Sequence, residues 1–207
     1  MEALLAPLLE ELRQHGIQIH FFTEESGDRK KALLLKVPEK AVSILRSQPR
    51  GMVVVMPDLY PKNRGFPHET FAELDRGIRE KFRAAMQRKR INHPADLESR
   101  FKVFCFKHDL EALLLASPEA LAARLGVLAL PRTWGSAIED VNHDRPPKRV
   151  VEDLFARRGQ RYQDTVDAPV VLSNSSYRTV AEVCPQCFKP FVEMLTALRG
   201  DPGSMLS

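Results

Sequence analysis

An α/β fold with a mainly parallel sheet covered by helices is what this sequence predicts, from two short buried strands and the helices that alternate with them. The first strand is Met52-Val-Val-Val-Met-Pro57, entered through Gly51 and followed by Asp58, Leu59, Tyr60 and Pro61. An apolar run this short and this rich in β-branched residues reads as a strand buried on both faces. The second, Phe101-Lys-Val-Phe-Cys-Phe106, leads into Lys107-His108-Asp109-Leu110-Glu111. In open α/β sheets, ligands collect beyond the carboxyl ends of the parallel strands. Asp58 and the acidic group after residue 106 are therefore expected to share one site.

The other elements follow in order. Leu4, Leu5, Leu8, Leu9 and Leu12 fall on one face of a helix over residues 2–15, which Gly16 stops. A strand over 17–22 and a polar turn over 23–29 come next, and residues 32–37 lean towards strand. Pro38 opens a helix through Ser47. An amphipathic helix from His68 to about Lys89 carries Arg79, Lys81, Arg83, Arg88, Lys89 and Arg90 towards its end. Helices over 110–115 and 118–125, the latter stopped by Gly126, complete the alternation that indicates a parallel sheet. Shorter helices are expected at about 148–158 and 188–199. Residues 1–135 are read as the α/β core, and 136–207 as a loop-and-helix extension packed on the same domain.

Composition narrows the class. With 43% hydrophobic and 28% charged residues the composition is ordinary and argues against disorder. No apolar run approaches the ~20 residues that cross a bilayer, so no membrane association is expected. Three cysteines are too few for a disulfide framework, and a reducing cytoplasm is the expected compartment. A net charge of +4 permits nucleic-acid contact without demanding it. The basic end of the 68–89 helix is where weak, salt-sensitive contact is expected.

The candidate site residues each carry two readings. Asp58 is either a strand-ending turn residue or a cation ligand. Tyr60, on the same side of an extended backbone, either packs on the following helix or donates to a phosphate. Asp109 and Glu111 either favour a helix start electrostatically or, with Asp58, hold a hard cation such as Mg²⁺ or Mn²⁺. His108 has the chemistry of an acid or base near neutral pH. Lys148 and Arg149 open a helix where cations oppose its dipole, so an anion is expected beside them, either a carboxylate of this protein or a phosphate. Cys184-Pro-Gln-Cys187 is half of a zinc pattern without its other half, and reads as a helix entry with one buried thiol.

The order of these segments resembles one family. Met56-Pro-Asp58-Leu-Tyr60 with Phe66-Pro67 precedes His108-Asp-Leu-Glu111 and Ser117-Pro-Glu-Ala-Leu. Ile138-Glu-Asp-Val-Asn142, Pro147-Lys148-Arg149, Tyr162 ahead of Val166-Asp167, and Cys184-Pro185 with Phe188 follow. Together they resemble the bacterial domain-of-unknown-function family 4276, a divergent Toprim-like group. The resemblance implies a Toprim-like fold and a metal-dependent phosphodiesterase or nuclease with an ATPase partner of the chromosome-maintenance type, in settings associated with phage defence. Asp58, Asp109 and Glu111 would hold the metal, Asp58, His108 and Glu111 would serve catalysis, and Tyr60, Lys148 and Arg149 would bind phosphate or nucleic acid. The sequence departs from that pattern in lacking a first strand ending in Val-Glu-Gly, and in placing Tyr60 where a second aspartate is usual. Glu24 or Glu25 would have to substitute. The alternative is a catalytically degenerate partner that senses or positions nucleic acid.

Overall fold

The computed structural model describes residues 1–22, 33–60, 66–130, 138–140 and 145–200. The chain divides into two compact units: one joins Met1–Phe21 to Lys107–Gly200, and Phe22–Phe106 makes up the second.

In the second unit the two strands are parallel neighbours, as expected. β1 (Val53–Val55) pairs with β2 (Phe101–Val103), with Val53 opposite Phe101 and Val55 opposite Val103. The pairing runs on past the strands: Phe106 N–H donates to the Pro57 carbonyl at 3.1 Å, and Leu59 N–H to the Phe106 carbonyl at 2.7 Å. Asp58 thus stands beside Phe106 in an isolated parallel bridge at the carboxyl end of the pair. Among the described residues the sheet has these two strands alone, and the chain is otherwise mostly helical. The expected mainly parallel sheet is therefore reduced to one pair. Residues 17–22 form no strand, because neither alternating set of side chains is buried and no ladder partner is present among the described residues. Residues 33–35 are helical rather than extended, since Leu33, Leu34 and Leu35 carry no β-branching and favour a helix.

Helix α2 (Val37–Ser47) packs on β1 and on α3 (Phe71–Arg88). α3 starts three residues later than the hydrophobic pattern suggests, because Thr70 caps it. Glu73 N–H donates to the Thr70 hydroxyl at 3.2 Å, and the Glu73 carboxylate accepts Thr70 N–H at 3.3 Å. Leu74, Ile78, Phe82, Ala85 and Met86 form its buried stripe, and Phe82 stacks on Phe101 with ring centroids 4.1 Å apart. Phe66 lies so close to Gly77 that a Cβ there would meet its ring at 2.5 Å.

A short helix absent from the sequence reading, α4 (Pro94–Ser99), delivers Arg100, which is only 2% exposed. Its guanidinium donates to the carbonyls of Leu45, Gln48 and Gly51 at 3.2, 3.1 and 3.0 Å, and to Asp96 at 2.7 Å. One planar fork thus satisfies the last carbonyls of α2 and the turn into β1.

The first unit is helical: α1 (Glu2–Gln14), α5 (Ala112–Leu115), α6 (Pro118–Leu125), α7 (Pro147–Ala156), α8 (Asp164–Ser173), α9 (Tyr177–Val183) and α10 (Phe188–Ala197). α1 buries Leu4, Leu5, Leu8 and Leu12 and packs on α8. Gly16, at φ 76°, ends α1 with Ile17 N–H bonded back to the Leu12 carbonyl at 2.9 Å, and Gly126 ends α6 in the same way. α5 packs against α7 and α8, and α9 against α10.

Two outcomes follow. Arg100→Met leaves three backbone carbonyls without their donor and should lower unfolding free energy by about 3 kcal/mol, read from a urea midpoint; a loss below about 1 kcal/mol would remove Arg100 from this role. Gly77→Ala, ordinarily a gain of ~1 kcal/mol inside a helix, should instead lower Tm here because the Phe66 ring must move. A rise in Tm would show that the ring yields freely.

Candidate functional site

In the second unit, half-buried Asp58 is held at the end of the strand pair by the backbone bonds of its neighbours. Tyr60 directs its hydroxyl to the Glu69 carbonyl at 3.4 Å, just ahead of α3. Buried His68 has its two ring nitrogens 2.8 Å from the Phe66 carbonyl and 2.9 Å from the Leu59 carbonyl, which fixes the chain on both sides of residues 61–65. The basic end of α3 meets the protein's own acceptors. Arg79 pairs with Asp75 at 2.8 Å, Arg83 with Glu98 at 3.1 Å and Arg88 with Glu39 at 3.7 Å, while Lys89 donates to the Ser43 hydroxyl at 2.6 Å.

The first unit holds the denser group. Phe106 hands the chain to Lys107, His108 is buried, and α5 begins directly after Glu111. α7 begins at Pro147, whose fixed φ suits the first helical position. Its first turn exposes orphan N–H groups, and the Asp109 carboxylate takes one of them: Lys148 N–H lies 3.1 and 3.3 Å from the two Asp109 oxygens. The Lys148 ammonium lies 3.1 Å from Asp164 and 3.9 Å from Glu111. Tyr162, buried, donates its hydroxyl to the same Glu111 oxygen at 3.1 Å.

The electrostatics follow from that crowding. Burial, then the Glu111 charge, pushes the Asp109 carboxyl up to about 6, against the pull of Lys148. Burial alone would lower the Lys148 ammonium, but its bond to Asp164 and the Glu111 charge outweigh that and hold it above the ordinary lysine value. Burial and the adjacent Glu111 raise the Tyr162 phenol far above its ordinary value, so it acts as a hydrogen-bond donor. Arg149, the second half of the expected cation pair, turns to Glu152 at 3.2 Å. Both cations of the pair meet protein carboxylates.

Glu139, buried within the 3₁₀ turn Ile138–Asp140, performs a second capping role. Its carboxylate accepts the backbone N–H groups of Gln186, Cys187 and Phe188 at 2.6, 2.8 and 3.3 Å, at the entry to α10. Asp140 beside it is held below the usual carboxylate range by its hydrogen bonds to Lys107 and then Gln186. The Cys184-Pro-Gln-Cys187 turn is therefore a carboxylate cradle. Cys184 is fully buried, and burial followed by the Glu139 charge pushes its thiol up to about 12, which leaves no thiolate for redox chemistry near neutral pH.

Asp58 and Tyr60 lie in one unit, and His108, Asp109, Glu111, Lys148 and Arg149 in the other. Glu24, Glu25 and Asn142 lie outside the described residues. Sequence reasoning gave no part to Asp164, and Glu139 and Tyr162 entered it only as landmarks of the family order. Nothing in the sequence marked Asp164 as a partner for Lys148, because the helix it opens, α8, was itself not legible. As for Mg²⁺, the oxygens of Asp109 and Glu111 already accept Lys148 N–H and the Tyr162 hydroxyl. Among the described residues no group of three or more His, Cys, Asp or Glu side chains could hold a metal ion. The described residues of this unit do not fit a resident divalent cation.

A mostly helical α/β protein, with a parallel strand pair in one unit and a partly buried carboxylate–lysine–tyrosine group in the other, is what fold and site define. The chain belongs to the family described as Domain of unknown function (DUF4276), whose model matches residues 1–196. No curated protein and no solved structure matches it. Among the described residues no helix is long and apolar enough to cross a membrane.

The raised Asp109 pKa has a direct consequence. The folded chain binds this proton more tightly than the unfolded chain, whose carboxyl titrates near its ordinary 3.8. The group's contribution to stability is therefore largest below the unfolded value and is lost as pH rises from about 4 to about 6. Asp109→Asn, whose amide oxygen still accepts Lys148 N–H, should gain in Tm relative to the parent chain between pH 4 and 6.5. A difference that is constant across that range would contradict the assignment.

Proposed function

We propose that this chain is a non-catalytic, Toprim-like partner subunit that docks on an ATPase of the chromosome-maintenance type and positions nucleic acid, in a setting associated with phage defence. One observation carries the reading: the Lys148 ammonium stands among Asp164 and Glu111, with its own N–H on Asp109, where a metal-dependent phosphodiesterase would need its cation. A hard cation such as Mg²⁺ takes carboxylate oxygens together with waters and substrate oxygens. Here an ammonium, a backbone N–H and a phenol of the protein itself engage those carboxylates. The order of family segments supports the Toprim-like class and the ATPase partner. The metal-dependent nuclease is the competing reading, and the experiment separates the two.

With Mg²⁺ or Mn²⁺ the purified chain should leave supercoiled plasmid and single-stranded DNA uncut, and calorimetric titration with either ion should show no saturable heat. Lys148→Met, which leaves the acids without their ammonium, should acquire divalent-cation binding, visible as a Tm that rises with added Mg²⁺. Metal-dependent cleavage by the parent chain, abolished by Asp58→Ala, would overturn the proposal in favour of a nuclease.

A further inference from the structure

The charges between Arg145 and Asp164 are unbalanced in a specific place. The segment holds six cations and three acids. Each acid is engaged by one of the first three cations: Arg145 pairs with Asp153, Lys148 with Asp164 at 3.1 Å, and Arg149 with Glu152 at 3.2 Å. Arg157, Arg158 and Arg161 remain, all exposed, and none has a side-chain partner among the described residues. A local excess of three stands against a net charge of +4 for the whole chain.

These arginines lie on a defined turn. α7 ends with Gln160 N–H bonded to the Phe155 carbonyl at 3.0 Å and Gly159 N–H to the Ala156 carbonyl at 2.9 Å, while Gly159 adopts φ 67°. That bond pattern closes the helix without slack. Under the turn, Phe155 and Tyr162 pack with ring centroids 5.3 Å apart, and both are buried. Cations near a helix C-terminus are favoured by its dipole, by ~0.3–1 kcal/mol each. Arg161 lies past that turn, and the dipole does not account for it.

We infer that the Arg157–Arg158–Arg161 turn is an interaction surface for the phosphate backbone of double-helical DNA. Guanidinium groups match phosphate oxygens in charge and in geometry. Single strands are held by exposed aromatic side chains on which bases stack, and both aromatic residues of this turn are buried. Contact is therefore with backbone and is independent of sequence. The inference rests on the nucleic-acid part of the function proposed above. It moves the contact from the basic end of α3, where the arginines are paired, to the end of α7.

The test is fluorescence anisotropy of a labelled 20-base-pair DNA duplex against salt, with the full chain. R157Q/R158Q/R161Q should bind at least tenfold more weakly at low salt, with a log–log salt slope smaller by about 3, at ~0.9 per lost phosphate contact. R83Q/R88Q in α3 should keep the parent slope. If the triple variant melts early, Arg158→Gln and Arg161→Gln singly should each reduce the slope by about 0.9. A parent chain that binds while the triple variant keeps its slope overturns the turn assignment and leaves the nucleic-acid reading standing. A parent chain that binds no duplex overturns both. Tenfold preference for a single strand, or for polyglutamate, overturns the choice of duplex DNA.

Discussion

Arg100 carries a full charge into the second unit and spends its donors on backbone: three carbonyls at the end of α2 and the approach to β1, with Asp96 on the other side of the fork. The strand pair is only three residues long on each side, too short to be stable by its own ladder. Its register depends on where α2 delivers Val53 and where α4 delivers Phe101. Arg100 is the residue that ties those two approaches together, and Val53 N–H in turn donates to the Arg100 carbonyl at 3.0 Å. Asp58 owes its position at the end of the pair to this clamp.

The same constraint recurs in the first unit with the sign reversed. Short helices have many ends relative to their length, and each end leaves backbone groups that must be satisfied. Asp109 serves α7, Glu139 serves α10, and buried Asp167 accepts Gln163 N–H at 2.6 Å where α8 begins while pairing with Arg124. A carboxylate just past a strand can be a metal ligand or a helix cap, and its residue type does not decide which. The donors that reach it do. For Asp109 and Glu111 those donors are a backbone N–H, an ammonium and a phenol, all supplied by the protein. The acidic group that suggests a metal site in one dimension is engaged by the protein's own donors in three.

The two strands and the helices with clear apolar stripes could be read from the sequence, because burial is periodic there and Gly16 and Gly126 mark the stops. α8 was hidden by Pro169 in its interior and by β-branched valines, and α4 and α9 are too short to show a period. The wider sheet expected from the sequence needs a buried face that residues 17–22 do not have. The site was legible as a set of residues but not as a set of bonds. No spacing rule joins Asp109 to Lys148, or Glu139 to Gln186. The family order did contain that information in another form. Ile138-Glu-Asp and Cys184-Pro-Gln-Cys are two halves of one carboxylate cradle, and His108-Asp-Leu-Glu, Pro147-Lys148 and Tyr162 are three parts of one ion-pair group. Segments that lie apart along the chain meet in the fold.

α7 connects the two features that bear on function. Its N-terminus receives the Asp109 carboxylate, and its C-terminus carries Arg157 and Arg158, so both ends have the sign that the helix dipole favours. Ten residues span about 15 Å, which separates Asp109, at the start of α7, from Arg157 and Arg158 by more than a Debye length at physiological salt. Asp109 therefore does little to screen those two arginines. Pinning α7 at its start also holds the turn at its end in one conformation. A surface held that way loses little conformational freedom when it meets a phosphate backbone, and so more of each guanidinium–phosphate contact is retained as binding. The ion-paired acidic end and the contact proposed for the basic end thus belong to one helix, anchored at its start by Asp109.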